Sequence, residues 1–111
     1  MITVIVTYQV NSDFVAENKR NIQKFLTDFK ALPGGFVYEV FTKSDGCTFV
    51  HFSSYKDEVI QTAVLNVPSF KEFQQLRDQS GLNSSHKVET LRYIGSTAET
   101  FLADTVAIHE S

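Results

Sequence analysis

A chain of 111 residues with 13 acidic and 10 basic side chains, net charge −3, fits one small domain and lacks the basic stripe that would follow a nucleic acid backbone. Cys47 is the single cysteine, which excludes an internal disulfide and any metal site built from cysteines alone. Ten Phe and four Tyr with no Trp are a heavy aromatic load, and most of these rings belong in a core.

Residues 2 to 10 alternate Ile2, Val4, Val6, Tyr8 and Val10 against Thr3, Ile5, Thr7 and Gln9, the period of a strand. The stretch is apolar, but it has no basic leader and is too short to cross a bilayer, so a cytoplasmic protein is expected. Asn11-Ser12-Asp13 supplies a helix N-cap, and Ile22, Phe25, Leu26, Phe29 and Leu32 mark one buried helical stripe. Lys19, Arg20, Lys24 and Lys30 lie off that stripe, on a solvated face.

Pro33-Gly34-Gly35 ends the helix, and a hairpin follows, with strands at Phe36 to Lys43 and Cys47 to Ser53 around Ser44-Asp45-Gly46. A second helical region begins near Ser54, with Ser54 and Asp57 at capping-box spacing. Asn66-Val67-Pro68 breaks it, and it resumes through Phe70, Phe73 and Leu76 behind Ser69 and Glu72 at the same spacing. Ser80 to Ser85 is loop, and Lys87 to Ile94 is the last strand. Residues 1–95 thus form one α+β domain, and 96–111, with a cap at Ser96 and the apolar Phe101, Leu102, Val106 and Ile108, read either as a short helix and arm laid on a partner subunit or as a fraying terminus.

The order βαββαβ predicts a ferredoxin-like antiparallel sheet with its helices on one face. The hairpin is apolar on both faces, with Phe36, Tyr38 and Val40 alternating with Val37 and Phe41, and Phe49 with Val50 and Phe52. One helical layer covers one face only, so a second copy of the sheet is expected on the other, with a pocket for a small apolar or aromatic ligand between them.

Three segments carry a family likeness: Pro33-Gly34-Gly35-Phe36-Val37-Tyr38-Glu39-Val40-Phe41, Phe49-Val50-His51-Phe52 running into Tyr55-Lys56-Asp57-Glu58, and Val67-Pro68-Ser69-Phe70-Lys71-Glu72-Phe73. Over about residues 1 to 95 the chain resembles the dimeric α+β barrel proteins, in their antibiotic-biosynthesis-monooxygenase-like branch. The resemblance implies a homodimer and a monooxygenase of small aromatic or polyketide-like substrates that needs no cofactor. Members acting on substrates or haem often have an Asn on the first strand, a Trp opening the second helix and His residues around the Pro-containing break. Here Gln9, Tyr55, Val64 and Ser69 stand at those places, so haem degradation is not implied.

His51 is the candidate base, an imidazole in mid-strand between Phe49 and Phe52. A three-residue hairpin loop sets it opposite Glu39, a carboxylate that could orient it as in catalytic dyads. A two-residue turn at Asp45-Gly46 sets it opposite Val40, beside Tyr38 and Phe49. Tyr8, Tyr38, Phe49, Tyr55, Phe73 and Arg92 complete the expected substrate-binding set, with Tyr93 a further hydroxyl and Arg92 able to stabilise an oxyanion. His86 and His109 are read as solvated, and three scattered histidines do not make a metal site. Two functions remain open: a cofactor-free monooxygenase, and a non-catalytic homodimeric binding protein using the same cavity. A collapsed, ring-filled dimer interface is a third outcome.

Overall fold

The structure is a computed structural model and describes residues 1–83 and 86–98. Strand β1 (Ile2–Gln9) leads through a single 3-10 turn, Ser12–Phe14, into α1 (Val15–Lys30). The hairpin β2 (Phe36–Thr42) and β3 (Thr48–Tyr55) follows, then α2 (Glu58–Leu65), α3 (Pro68–Leu76), a wide turn Arg77–Gly81 and β4 (Lys87–Leu91). The sheet order is β2-β3-β1-β4, every neighbour antiparallel, which is the expected ferredoxin-like arrangement. Glu99 and the apolar residues Phe101 to Ile108 of the expected arm, with His109, lie outside the described residues.

The core lies between the sheet and the helices. Tyr8, Val10, Phe49 and Tyr55 from one sheet face meet Phe25 and Phe29 of α1, Val64 of α2, and Phe70 and Phe73 of α3, all buried. Lys19, Arg20, Lys24 and Lys30 are exposed, as their spacing requires.

Three local expectations are corrected. Ser54 is not a cap: β3 runs on to Tyr55, and Asp57 caps α2 by accepting from the Ile60 amide at 2.9 Å. Ser69 is not a cap either, because Pro68 opens α3 and the Ser69 hydroxyl turns back to the Asp28 carboxylate. Asn11 makes no side-chain cap; its carbonyl accepts from the Phe14 amide, so a 3-10 turn leads the chain into α1.

The hairpin loop decides which way His51 points. Lys43 N–H bonds to Thr48 O at 2.8 Å, leaving a four-residue loop, Ser44 to Cys47. Gly46 takes φ 74° within it. The Asp45 carboxylate accepts from the Thr48 hydroxyl and from the Thr48 and Cys47 amides, bonds that hold its pKa below the usual carboxylate value. An even loop has the parity of a two-residue turn, so Val40 pairs with His51 and Glu39 with Phe52. His51 therefore faces the helices. The alternative pairing with Glu39 is excluded: Glu39 lies on the outer face, and the carboxylate–imidazole dyad is not formed.

A buried polar chain and its cavity

His51 sits opposite Val6 of β1 and Val40 of β2, and only 2% of its surface is exposed. Its ring lies 5.4 Å from Phe73, nearly parallel, and 6.1 Å from Phe25. Both nitrogens have partners: Nε2 is 2.7 Å from the Tyr8 hydroxyl, and Nδ1 is 2.7 Å from the Tyr38 hydroxyl. Asn18, wholly buried on α1, extends the chain by donating from Nδ2 to the Tyr8 hydroxyl at 3.0 Å.

Burial disfavours the charged imidazole, and the nearby Arg77 cation adds to the effect, so the His51 pKa falls to about 3. A neutral imidazole has one donor and one acceptor, which the two tyrosines satisfy. Burial likewise raises the Tyr8 pKa, against the opposing Asn18 bond and Arg77 charge. It raises that of Tyr38 too, with Tyr55 and Tyr8 adding and Arg77 opposing. At neutral pH the chain Asn18–Tyr8–His51–Tyr38 is uncharged throughout.

Arg77 is the charge beside it. The guanidinium carbon is 5.0 Å from the centre of the Tyr8 ring and 5.4 Å from that of Phe73, and Nε donates to Asp78 at 2.9 Å. A cation over aromatic faces is stabilised by the ring quadrupoles, which suits an arginine only 5% exposed. The turn that holds it closes with Leu82 N–H on Arg77 O at 2.8 Å.

A cavity of about 100 Å³ opens at the Tyr38 end of the chain. Its polar lining is Tyr38, His51, Gln74, Arg77 and His86, with Val6, Phe70, Phe73 and Val88 between them. A larger recess of about 430 Å³ lies on the outer sheet face, among Thr3, Val37, Glu39, Phe52, Arg92 and Tyr93.

The expected site residues therefore divide. His51, Tyr8, Tyr38 and Phe73 come together, and Phe49 stacks on Tyr8 at 5.6 Å. Tyr55 is buried four residues beyond His51 on β3, against Phe36 and away from the His51 cavity. Arg92 belongs with Glu39 on the outer recess, so neither assists His51. Asn18, Arg77 and His86 were not assigned to the site from sequence. Asn18 continues the buried stripe of Phe14, Phe25 and Phe29, and Arg77 that of Phe70 and Phe73, so a polar residue in phase with each stripe was the available signal. Among the described residues no group of three or more His, Cys, Asp or Glu could hold a metal ion, and no helix is long and apolar enough to cross a membrane.

Comparison with solved structures finds the same architecture. An antibiotic biosynthesis monooxygenase matches at 12% identity and TM-score 0.75, over 86% of this chain and all of its own. Rv0793 from Mycobacterium tuberculosis matches at 16% identity and TM-score 0.74, over 87% and 98%. A conserved protein from Methanosarcina mazei Go1 matches at 20% identity and TM-score 0.72, over 82% and 90%. At such identities the likeness is one of fold. No curated protein matches the sequence. The pattern of the antibiotic biosynthesis monooxygenase family matches residues 1–76, which include β1, the hairpin and the helices that build the polar chain, and the chain belongs to that family.

Proposed function

We propose that this protein is a cofactor-independent monooxygenase that binds a small aromatic substrate beside Tyr38, His51 and Arg77. The observation that carries the reading is a buried, hydrogen-bonded polar chain that ends, next to a cation, at a cavity. A substrate oxygen seated there meets the Tyr38 hydroxyl and the Arg77 guanidinium, which together favour its anionic, phenolate or enolate form. His51 does not act as the free base expected from sequence. With both nitrogens bonded and its cation disfavoured, it is a link in a relay. His86, exposed and lining the cavity, is the imidazole placed to take the substrate proton. The electron-rich anion then forms a C–O bond to oxygen as a peroxide, and breaking of the O–O bond with loss of water leaves a carbonyl. A phenol and O2 thus give a quinone and water, the substrate supplying all four electrons and both hydrogens of that water.

The volume narrows the substrate. About 100 Å³ lies well below the roughly 300–1,000 Å³ of ordinary ligand pockets, so a single activated ring is favoured over a fused polyketide. The working form is a homodimer joined through the outer sheet face, and the location is cytoplasmic, where the free thiol of Cys47 stays reduced.

Oxygen uptake with a panel of single-ring phenols tests the reading. Turnover by the wild type is expected to fall at least a hundredfold in Tyr38→Phe, since a donor aimed at a developing oxyanion has about that worth. The second reading, a non-catalytic homodimeric binding protein, is favoured by one observation: His51 has no nitrogen left for a substrate. Thermal stabilisation by phenols without oxygen uptake would decide for it.

A further inference from the structure

We infer that Asn18 sets the direction of the buried hydrogen-bond chain, so that Tyr38 presents its hydroxyl proton to an acceptor atom of whatever occupies the cavity. The argument starts at the α1 end. Asn18 Nδ2 can only donate, so the Tyr8 oxygen accepts from it. Tyr8 is 2% exposed, and leaving its proton without a partner there would cost about 1–3 kcal/mol. Its one remaining partner is His51 Nε2, which must therefore be the unprotonated nitrogen. The imidazole proton then sits on Nδ1 and is donated to the Tyr38 oxygen. Tyr38 has given its acceptor side to His51, and its own proton has no hydrogen-bond partner among the described residues, so the cavity that Tyr38 lines is where an acceptor can meet it.

The direction depends on the orientation of the Asn18 amide, whose Nδ2 faces the Tyr8 hydroxyl. Asn18 Oδ1 and Asn21 Nδ2, one turn apart on α1, are the two buried side-chain polar atoms without a partner among the described residues. Turning the Asn18 amide over would set its oxygen against the Tyr8 hydroxyl and would reverse the whole chain. Asn18 touches no part of the cavity and is a positioning residue. For the ligand the inference rests on the proposed function: it selects molecules with a carbonyl or anionic oxygen over those with none.

The tautomer of His51 is read directly from long-range proton–nitrogen NMR correlations in the intact protein. The expected result is a single Nδ1–H species with Nε2 unprotonated, and an Nε2–H species would overturn the assigned direction. In Asn18→Leu the bias is expected to give way to a mixture of tautomers. A folded Asn18→Leu protein that keeps pure Nδ1–H removes the role given to Asn18. Should that variant not fold, the wild-type spectrum alone still decides the direction.

Acetophenone, with one carbonyl acceptor, and ethylbenzene, with none, probe the cavity end. Wild type is expected to bind acetophenone roughly three- to tenfold more tightly, the worth of one hydrogen bond, and Tyr38→Phe to bring the two to parity. Equal binding to wild type would overturn the donor role of Tyr38. Binding of neither probe would sink the cavity as a substrate site, while the tautomer measurement decides the chain by itself.

Discussion

His51 is neutral in the fold because it is enclosed by Phe25, Phe73 and Tyr8, and its imidazole regains an ordinary pKa of 6.5 when the chain unfolds. Between the folded value of about 3 and that 6.5 the unfolded chain binds the extra proton, so stability rises with pH across this window. The contribution is complete above about pH 7 and is lost as the pH falls toward 3. From pH 7 to pH 5 the loss attributable to this residue is about 2 kcal/mol, large against the 5–15 kcal/mol of a whole domain. Urea unfolding of the wild type is expected to show that fall, and His51→Gln, which keeps hydrogen-bonding capacity without titrating, to flatten it. An unchanged slope in a folded variant would show that His51 is not the responsible group. Sequence made His51 conspicuous as a lone imidazole between phenylalanines, but its partners depend on side chains brought from β1, β2 and α1. Asn18 was hidden because an asparagine amid helical polar residues reads as surface until the buried stripe is followed through it.

At the scale of elements, the direction of one hairpin separated two different sites. Ser44-Asp45-Gly46 was legible as a turn, and both of its parities were physically sound, since Gly46 serves a bulged loop and a tight turn alike. Asp45 settles the matter by gathering Thr48 and Cys47 around its carboxylate, a contact that only the closed loop reveals. The strands and the break at Pro68 were readable from period and proline chemistry. The limits of β3 and α2 were not, because Ser54 and Asp57 are equally good caps on paper and strand pairing with Ile2 and Phe36 holds Tyr55 in the sheet. The turn after α3 was invisible for a similar reason: it exists to seat a glycine under a ring. A Cβ on Gly81 would stand 2.1 Å from the Phe14 ring, so Gly81→Ala must displace Phe14 or the turn that carries Arg77. The expected cost is about 1–3 kcal/mol, the usual range for overpacking, read as a lowered urea midpoint. A midpoint equal to that of wild type would mean the turn yields freely and does not fix Arg77.

For the molecule as a whole, the outer face of the sheet remains the strongest argument for a second copy. Helices cover the face that carries Tyr8, Phe49 and His51, while Phe41 is 53% exposed and Leu91 39% exposed on the other, beside partly covered Val37, Val50 and Phe52. The chain beyond β4 contributes Tyr93 to the recess on that face, yet Ile94 is left 92% exposed, so the described tail does not close it. An apolar surface of this kind calls for a cover, and two identical sheets related by a twofold axis provide one in which each patch meets its own copy. A stable interface needs about 800 Å² from each partner, which a four-stranded face can supply. Phe52 stands near the middle of that face, opposite Glu39 on β2 and Ile5 on β1. Phe52→Asp is therefore expected to set two carboxylates side by side with Glu39 and to repel the partner sheet, shifting sedimentation from dimer to monomer at micromolar concentration. Because Phe52 and His51 point to opposite faces, the same variant should keep the wild-type His51 tautomer. A wild type that sediments as a monomer would refute the homodimer and leave the site beside Tyr38 intact, since every side chain of that site comes from one subunit.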